Sequence, residues 1–308
     1  MTIAPIILFV YNRPWHTQKT IEALQKNSLA SQSELFVYCD AAKNEGSIKS
    51  VNQVREYIDK VDGFKKVTVI KRDKNWGLAN SIIDGVTTII NEYGKIIVLE
   101  DDLVTSSSFL TYMNNALDFY QNEEKIYSIT GFSFSSEFMK FPDNFTTDVY
   151  LNIRPMSWSW ATWKSEWQGI DWEVQDFDEF ASSRKKIRQF NLGGTDLTNM
   201  LQAQMNGQLD SWYIRWCYNA FKKGKCTIYP KISFVNNIGH DNTGVHCGDD
   251  NKNIYSHSEL NLEEGLNFEQ NLVLNKDIVS SFNKAFNLSL LSKIKRTIKN
   301  ILSYVKNS

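Results

Sequence analysis

Four uninterrupted aliphatic residues, Ile96, Ile97, Val98 and Leu99, run straight into three carboxylates, Glu100, Asp101 and Asp102. An apolar run this short, preceded by Tyr93 and Gly94, reads as a parallel strand buried on both faces. The acids then fall at its carboxyl end, the edge where open α/β sheets bind ligands. Three adjacent carboxylates repel one another when ionised, and a cation offsets that repulsion. A divalent metal carrying a phosphorylated ligand is the economical reading.

The same pattern recurs upstream. Residues 3–10 are apolar apart from Pro5 and end in Tyr11-Asn12-Arg13-Pro14, which predicts a first strand followed by a helix with Thr17, Thr20, Ile21 and Leu24 on one face. Arg13 falls in the turn, where a guanidinium can grip phosphate in a fork or simply cap the surface. Residues 35–39 form a second strand running into Asp40, and residues 47–61 a helix with Val51, Val54, Ile58 and Val61 aligned. After a third strand at 67–70, Asn75 and Gly77 open a helix carrying Ile82, Ile83, Val86, Ile89 and Ile90. Backbone donors at such a helix start suit an anion, while a cap and tight turn account for Asn75 and Gly77 equally well. Strands alternating with helices predict a doubly wound, mostly parallel sheet. Neither G-x-G-x-x-G nor G-x-x-x-x-G-K-[ST] occurs, which disfavours dinucleotide and P-loop chemistry.

Beyond residue 148 the composition changes. Trp158, Trp160, Trp163, Trp167 and Trp172 fall within fifteen residues. The spacing of Trp160, Trp163 and Trp167 predicts a helix, with most of these rings in the core and one or two able to stack on a sugar. Residues 176–195 are charged and end in two glycines, which reads as a loop. Helices follow at 196–206 and from Trp212, with Asp210 at the amino cap of the second. Residues 236–248 hold three glycines, His240 and His246 among few apolar residues, the composition of a working loop. His246 could bind a metal or a diphosphate there. Residues 290–305 align Leu291, Ile294, Ile298, Ile301, Leu302 and Val305 against Lys293, Lys295, Arg296, Lys299 and the following Lys306. That helix either packs on the domain or lies on an anionic membrane.

With 34 basic and 35 acidic residues among 308, no global field favours nucleic acid. Four cysteines without a C-x-x-C pair signal neither a zinc knuckle nor a redox motif. The first residues lack a basic, apolar leader, so a cytoplasmic location is expected.

Taken in order, Val10-Tyr11-Asn12-Arg13-Pro14, Asp40, Asn75-Trp76-Gly77-Leu78-Ala79-Asn80, Glu100-Asp101-Asp102, Ser159-Trp160 with Trp163, Asp210-Ser211-Trp212 and Gly244-Val245-His246 resemble the GT-A-type nucleotide-sugar glycosyltransferases, nearest the inverting N-acetylglucosaminyltransferase I group and its bacterial relatives. The resemblance spans about residues 3–250. It implies a Rossmann-like α/β/α sandwich with a donor half at 1–150, an acceptor half at 151–270 and a helical tail at 271–308. It further implies that Asp102 coordinates Mn²⁺ or Mg²⁺ on the donor's diphosphate, that Glu100 and Asp101 contact base or ribose, and that Arg13 and Asp40 hold the nucleotide. Asn12, Asn75, Gly77 and Trp160 complete the implied donor set. Asp210 stands as general base, and His246 as a metal ligand or loop-ordering residue. The expected activity is transfer from a UDP-sugar to a saccharide or lipid-linked saccharide, with peripheral association at the inner membrane face through the tail. A sugar nucleotidyltransferase and a non-catalytic carbohydrate-binding protein are the rival readings. The first would want a glycine-rich loop after strand one, which Tyr11-Asn12-Arg13-Pro14 does not supply.

Overall fold

A computed structural model describes residues 2–240 and 259–287. In chain order the elements are β1 (Ile6–Val10), α1 (Pro14–Gln25), β2 (Glu34–Cys39), α2 (Glu45–Ile58), β3 (Lys66–Lys71), α3 (Leu78–Tyr93), β4 (Lys95–Glu100), β5 (Leu103–Thr105), α4 (Phe109–Tyr120) and β6 (Ile126–Thr130). They continue as β7 (Val149–Asn152), β8 (Trp160–Trp163), α5 (Lys164–Trp167), α6 (Phe177–Ser182), α7 (Arg184–Phe190), α8 (Leu197–Met205), α9 (Trp212–Lys223), β9 (Cys226–Pro230), β10 (Val235–Asn237) and α10 (Lys276–Asn283).

Eight strands form one sheet in the order β3-β2-β1-β4-β8-β6-β9-β7. The first four are mutually parallel. Beyond β4 the sheet is mixed, with β8 antiparallel to both β4 and β6 and β7 antiparallel to β9, while β6 and β9 run parallel. Both sides of position 150 therefore contribute to one sheet. Every residue of β1 is buried, as expected of a strand covered on both faces. One face packs Ile21 and Leu24 of α1, Val54 and Ile58 of α2 and Leu110, Met113 and Leu117 of α4. The opposite face packs Ile82, Val86, Ile89 and Ile90 of α3 with Trp212, Trp216 and Ala220 of α9. The result is the expected three-layer α/β/α arrangement.

Local chemistry sets the helix starts. Pro14 occupies the first turn of α1, where no intrahelical donor is lost. Asn44 and Ser47 form a reciprocal capping box on α2. Gly77 begins α3 at φ 75°, a conformation that costs other residues more.

Three expectations are corrected. Trp160 and Trp163 belong to strand β8 and not to a helix, because the segment inserts between β4 and β6 and takes their two-residue period. Residues 176–195 are folded, since Phe180 and Phe190 bury against Tyr218 and outweigh the surrounding charge. Ser211, and not Asp210, caps α9 through its hydroxyl and the Ile214 N–H. His246 and residues 290–305 lie outside the described residues.

Trp160 is 1% exposed, stacks on Trp167 and Trp212 and packs at a tilt against Trp216. Trp160→Ala is expected to cost about 3–5 kcal/mol, read as a lowered urea midpoint, with Trp160→Phe losing much less. An unchanged midpoint would contradict the central role of this ring.

Candidate functional site

The strand order reverses at β1, which pairs with β2 on one side and β4 on the other, with α1 and α3 leaving to opposite faces. A crevice opens at the carboxyl ends of strands at such a switch point. Register places Phe9 beside Glu100, so the loop after β1 and the acids after β4 emerge together. Arg13 Nη1 donates to Asp102 Oδ2 at 2.9 Å, and the two side chains are only 13% and 18% exposed. Arg13 Nη2 also lies 2.8 Å from His16 Nε2 and donates to the Gly239 carbonyl at 3.4 Å.

The two-stranded β5–β10 ribbon brings Gly239 to this pair. The Ile238 N–H donates to the Asp102 carbonyl at 2.9 Å. A Cβ on Gly239 would stand 2.1 Å from Asp102 Oδ2, so a larger residue there would displace the Asp102 carboxylate from its place beside Arg13. His240 follows directly and meets the Trp158 ring edge-on at 5.6 Å between centroids. Gly239, His240 and Trp158 were absent from the sequence-derived site. Their signal lay in the composition of residues 236–248 and in the tryptophan cluster, but the pairing of β10 with β5 was needed to place them.

The carboxylates divide by role. Asp40 Oδ1 accepts from the Ala41 and Trp76 N–H groups, both at 2.9 Å, and Oδ2 accepts from the Gly77 N–H at 2.9 Å. It clamps the β3–α3 loop onto the end of β2, and Asn75 Nδ2 adds a bond to the Ala41 carbonyl at 2.8 Å. In that loop Arg72 lies over the Trp76 ring at 3.9 Å and pairs with Asp84. Asp101 is buried, accepts from the Tyr11 N–H at 3.3 Å, and its carbonyl accepts from Thr20 Oγ1 at 2.8 Å. It ties β4 to the β1–α1 turn, in which Asn12 stands partly buried beside Arg13.

Two expected residues are held by other contacts. Trp160, assigned to donor contact, is in the core on the opposite face, where a ligand has no access. Asp210 is 66% exposed, with Arg215 3.6 Å from its carboxylate. Its helix nevertheless ends well placed. Trp212 stacks on Trp160 at the start of β8, while Lys223 reaches the Glu166 carbonyl beyond the end of β8. Helix α9 thus runs antiparallel to β4, and its amino end lies at the edge that carries the acids.

Among the described residues no three His, Cys, Asp or Glu side chains cluster as a metal cage. The donor set still fits a hard cation of the Mg²⁺ or Mn²⁺ kind, which takes one or two carboxylates and fills its remaining positions with water and phosphate oxygens. Asp102 is the carboxylate placed for it.

Neither a protein-family model nor a curated protein sequence matches the chain. Among solved structures, a Pyrobaculum calidifontis mannosyltransferase in complex with GDP-Man and Mn²⁺ aligns over 42% of this chain and 34% of its own at 13% identity, with a TM-score of 0.30. S. aureus TarS aligns over 75% and 36% at 12% identity and a TM-score of 0.38. TarS 1–349 in complex with UDP aligns over 75% and 59% at 10% identity and the same TM-score. The chain thus spans less than two thirds of each of them. At these scores the likeness carries no argument about activity, and the layer arrangement rests on the chain's own strand order. No helix among the described residues is long and apolar enough to cross a membrane.

Burial, then Asp102 and Asp101, pushes the Glu100 carboxyl up to about 8, with Arg13 opposing. Burial and Asp102 push Asp101 up to about 7. The folded protein therefore holds these protons more tightly than the unfolded chain does. Their stabilisation is complete below the ordinary carboxylate pKa and is lost as pH rises through about 7 to 8. In EDTA, the wild type should lose stability relative to Glu100→Gln between about pH 5 and pH 8, measured by urea midpoints. A difference that stays constant with pH would contradict this.

Proposed function

We propose that this chain is a metal-dependent, inverting GT-A-type glycosyltransferase, akin to the N-acetylglucosaminyltransferase I group. It would move a hexosyl or N-acetylhexosaminyl group from a nucleoside-diphosphate sugar, a UDP-sugar by preference, to a hydroxyl of a saccharide or lipid-linked saccharide. The observation that carries the reading is the sheltered Arg13–Asp102 pair at the switch point between β1 and β4. It offers a phosphate-gripping fork and a metal-binding carboxylate side by side.

The Asp40-clamped loop gives the nucleoside a rigid wall, with Asn75 and Gly77 in its backbone frame. Arg13 takes up charge on the diphosphate as the glycosidic bond breaks. Asp102 would hold Mg²⁺ or Mn²⁺, which when bound supplies Lewis-acid stabilisation of the same leaving group. Asp210, at the amino end of α9 with Arg215 beside it, accepts the acceptor hydroxyl's proton during in-line attack at the anomeric carbon. Direct displacement inverts the configuration and needs no protein nucleophile. The basic, amphipathic residues 290–305 support a place at the cytoplasmic membrane face, where a lipid-linked acceptor would be met.

A panel of UDP-, GDP- and dTDP-sugars, each with Mn²⁺, tests the reading by thermal stabilisation, since a ligand selective for the native state raises its stability by about 2.7 kcal/mol at a hundredfold excess over Kd. One nucleotide class should raise the Tm by several degrees, and Asp102→Asn should abolish the Mn²⁺-dependent part. Asp210→Asn should keep the stabilisation while lowering transfer roughly 10²-fold or more. Stabilisation by none of the panel, or full turnover in either variant, would contradict the assignment.

A further inference from the structure

Ser159 has φ 47°, a left-handed backbone uncommon for a residue with a side chain. Its surroundings over-determine it. The Gly131 N–H donates to the Ser159 carbonyl at 2.9 Å. Ser159 Oγ and Thr130 Oγ1 both donate to the Trp158 carbonyl, at 2.8 and 2.9 Å. Strained backbone held this firmly tends to cluster at ligand sites.

The strain changes where the neighbouring ring goes. A regular strand would send residues 158 and 160 to the same face. Trp160 instead packs with α3 and α9, while Trp158 packs on the opposite cluster, with Phe132 edge-on at 4.8 Å. That opposite face is the one from which α1 and the β5–β10 ribbon approach the site, as Ile21, Leu103 and Val235 show. Trp158 remains partly exposed and abuts His240, which follows Gly239, the residue that lies against Asp102 and Arg13.

Along the carboxyl edge, the strand order β2-β1-β4-β8 therefore sets out Asp40, Arg13, Asp102 and Trp158 in a row. Three strand spacings cover about 14 Å, on the scale of an extended nucleotide sugar. We propose that Trp158 is the stacking platform for the hexose of the donor, an inference that rests on the glycosyltransferase reading. The nucleoside would lie at the Asp40-clamped loop and the diphosphate at Arg13 and Asp102, which leaves the sugar at the fourth position. A pyranose presents an apolar C–H face, and an indole offers it a large, rigid, flat surface. The Ser159 turn turns the ring out of the core to meet it.

Isothermal titration of the full chain with Mn²⁺ separates the sugar's contribution from the nucleotide's. UDP-N-acetylglucosamine, UDP-glucose and GDP-mannose are compared with UDP and GDP. Trp158→Ala should weaken the sugar nucleotide that the wild type binds about tenfold, while the bare nucleoside diphosphate changes less than about twofold. Trp158→Leu keeps apolar bulk against Phe132 without a flat face and should lose the same increment, and Trp158→Phe should restore most of it. Equal weakening of sugar nucleotide and nucleoside diphosphate, or no change in either, would overturn the stacking role and leave the glycosyltransferase reading standing. A wild type that binds no nucleotide would remove both.

Discussion

The carboxyl edge of this sheet has to accommodate three consecutive acids, and the Arg13–Asp102 ion pair offsets the charge of the third. Like charges this close cannot all ionise in a sheltered place. The chain meets the constraint in three ways. Asp102 takes a guanidinium, Asp101 turns inward to the Tyr11 N–H, and burial favours the protonated form of Glu100. A diphosphate and its cation would fit the same logic, since Arg13 would gain an anion as Asp102 gained a metal. A buried pair earns little net stability of its own, because desolvation offsets most of the attraction. Its persistence at a crevice is better explained by what it can bind.

The surrounding acids and glycines make sense as support for that pair. Asp40 spends its carboxylate on backbone N–H groups and fixes a loop. Gly239 leaves room for the Asp102 carboxylate, which a Cβ there would overlap. His16 sits buried against the guanidinium of Arg13 and helps aim it. Further along the edge, a strained serine sends Trp158 to the face of the sheet opposite Trp160. The chemistry thus depends on main-chain geometry as much as on the titratable groups.

The parallel half of the sheet was legible because β1, β2 and β4 are mainly apolar and each runs into a charged residue at its carboxyl end, Arg13, Asp40 or Glu100. Residues 158–167 were harder. Trp160, Trp163 and Trp167 satisfy a helical period while Trp158 and Trp160 satisfy a strand period, and only the pairing of β8 with β4 and β6 decides between them. That is why Trp160 was placed at the donor and Trp158 was not. Residues 176–195 were misjudged because charge outnumbers the apolar residues, although Phe180 and Phe190 suffice to fold them onto Tyr218. The contact between Gly239 and Asp102 bridges more than a hundred residues, and no local pattern encodes it.

The most direct test of the central claim is an anomalous difference map from crystals grown with Mn²⁺ and the preferred nucleoside diphosphate. The account predicts a single strong peak within coordination distance of the Asp102 carboxylate, with Arg13 on a phosphate oxygen and the nucleoside against the Asp40-clamped loop. A metal peak elsewhere, or a diphosphate bound away from Arg13 with the Arg13–Asp102 pair undisturbed, would contradict it.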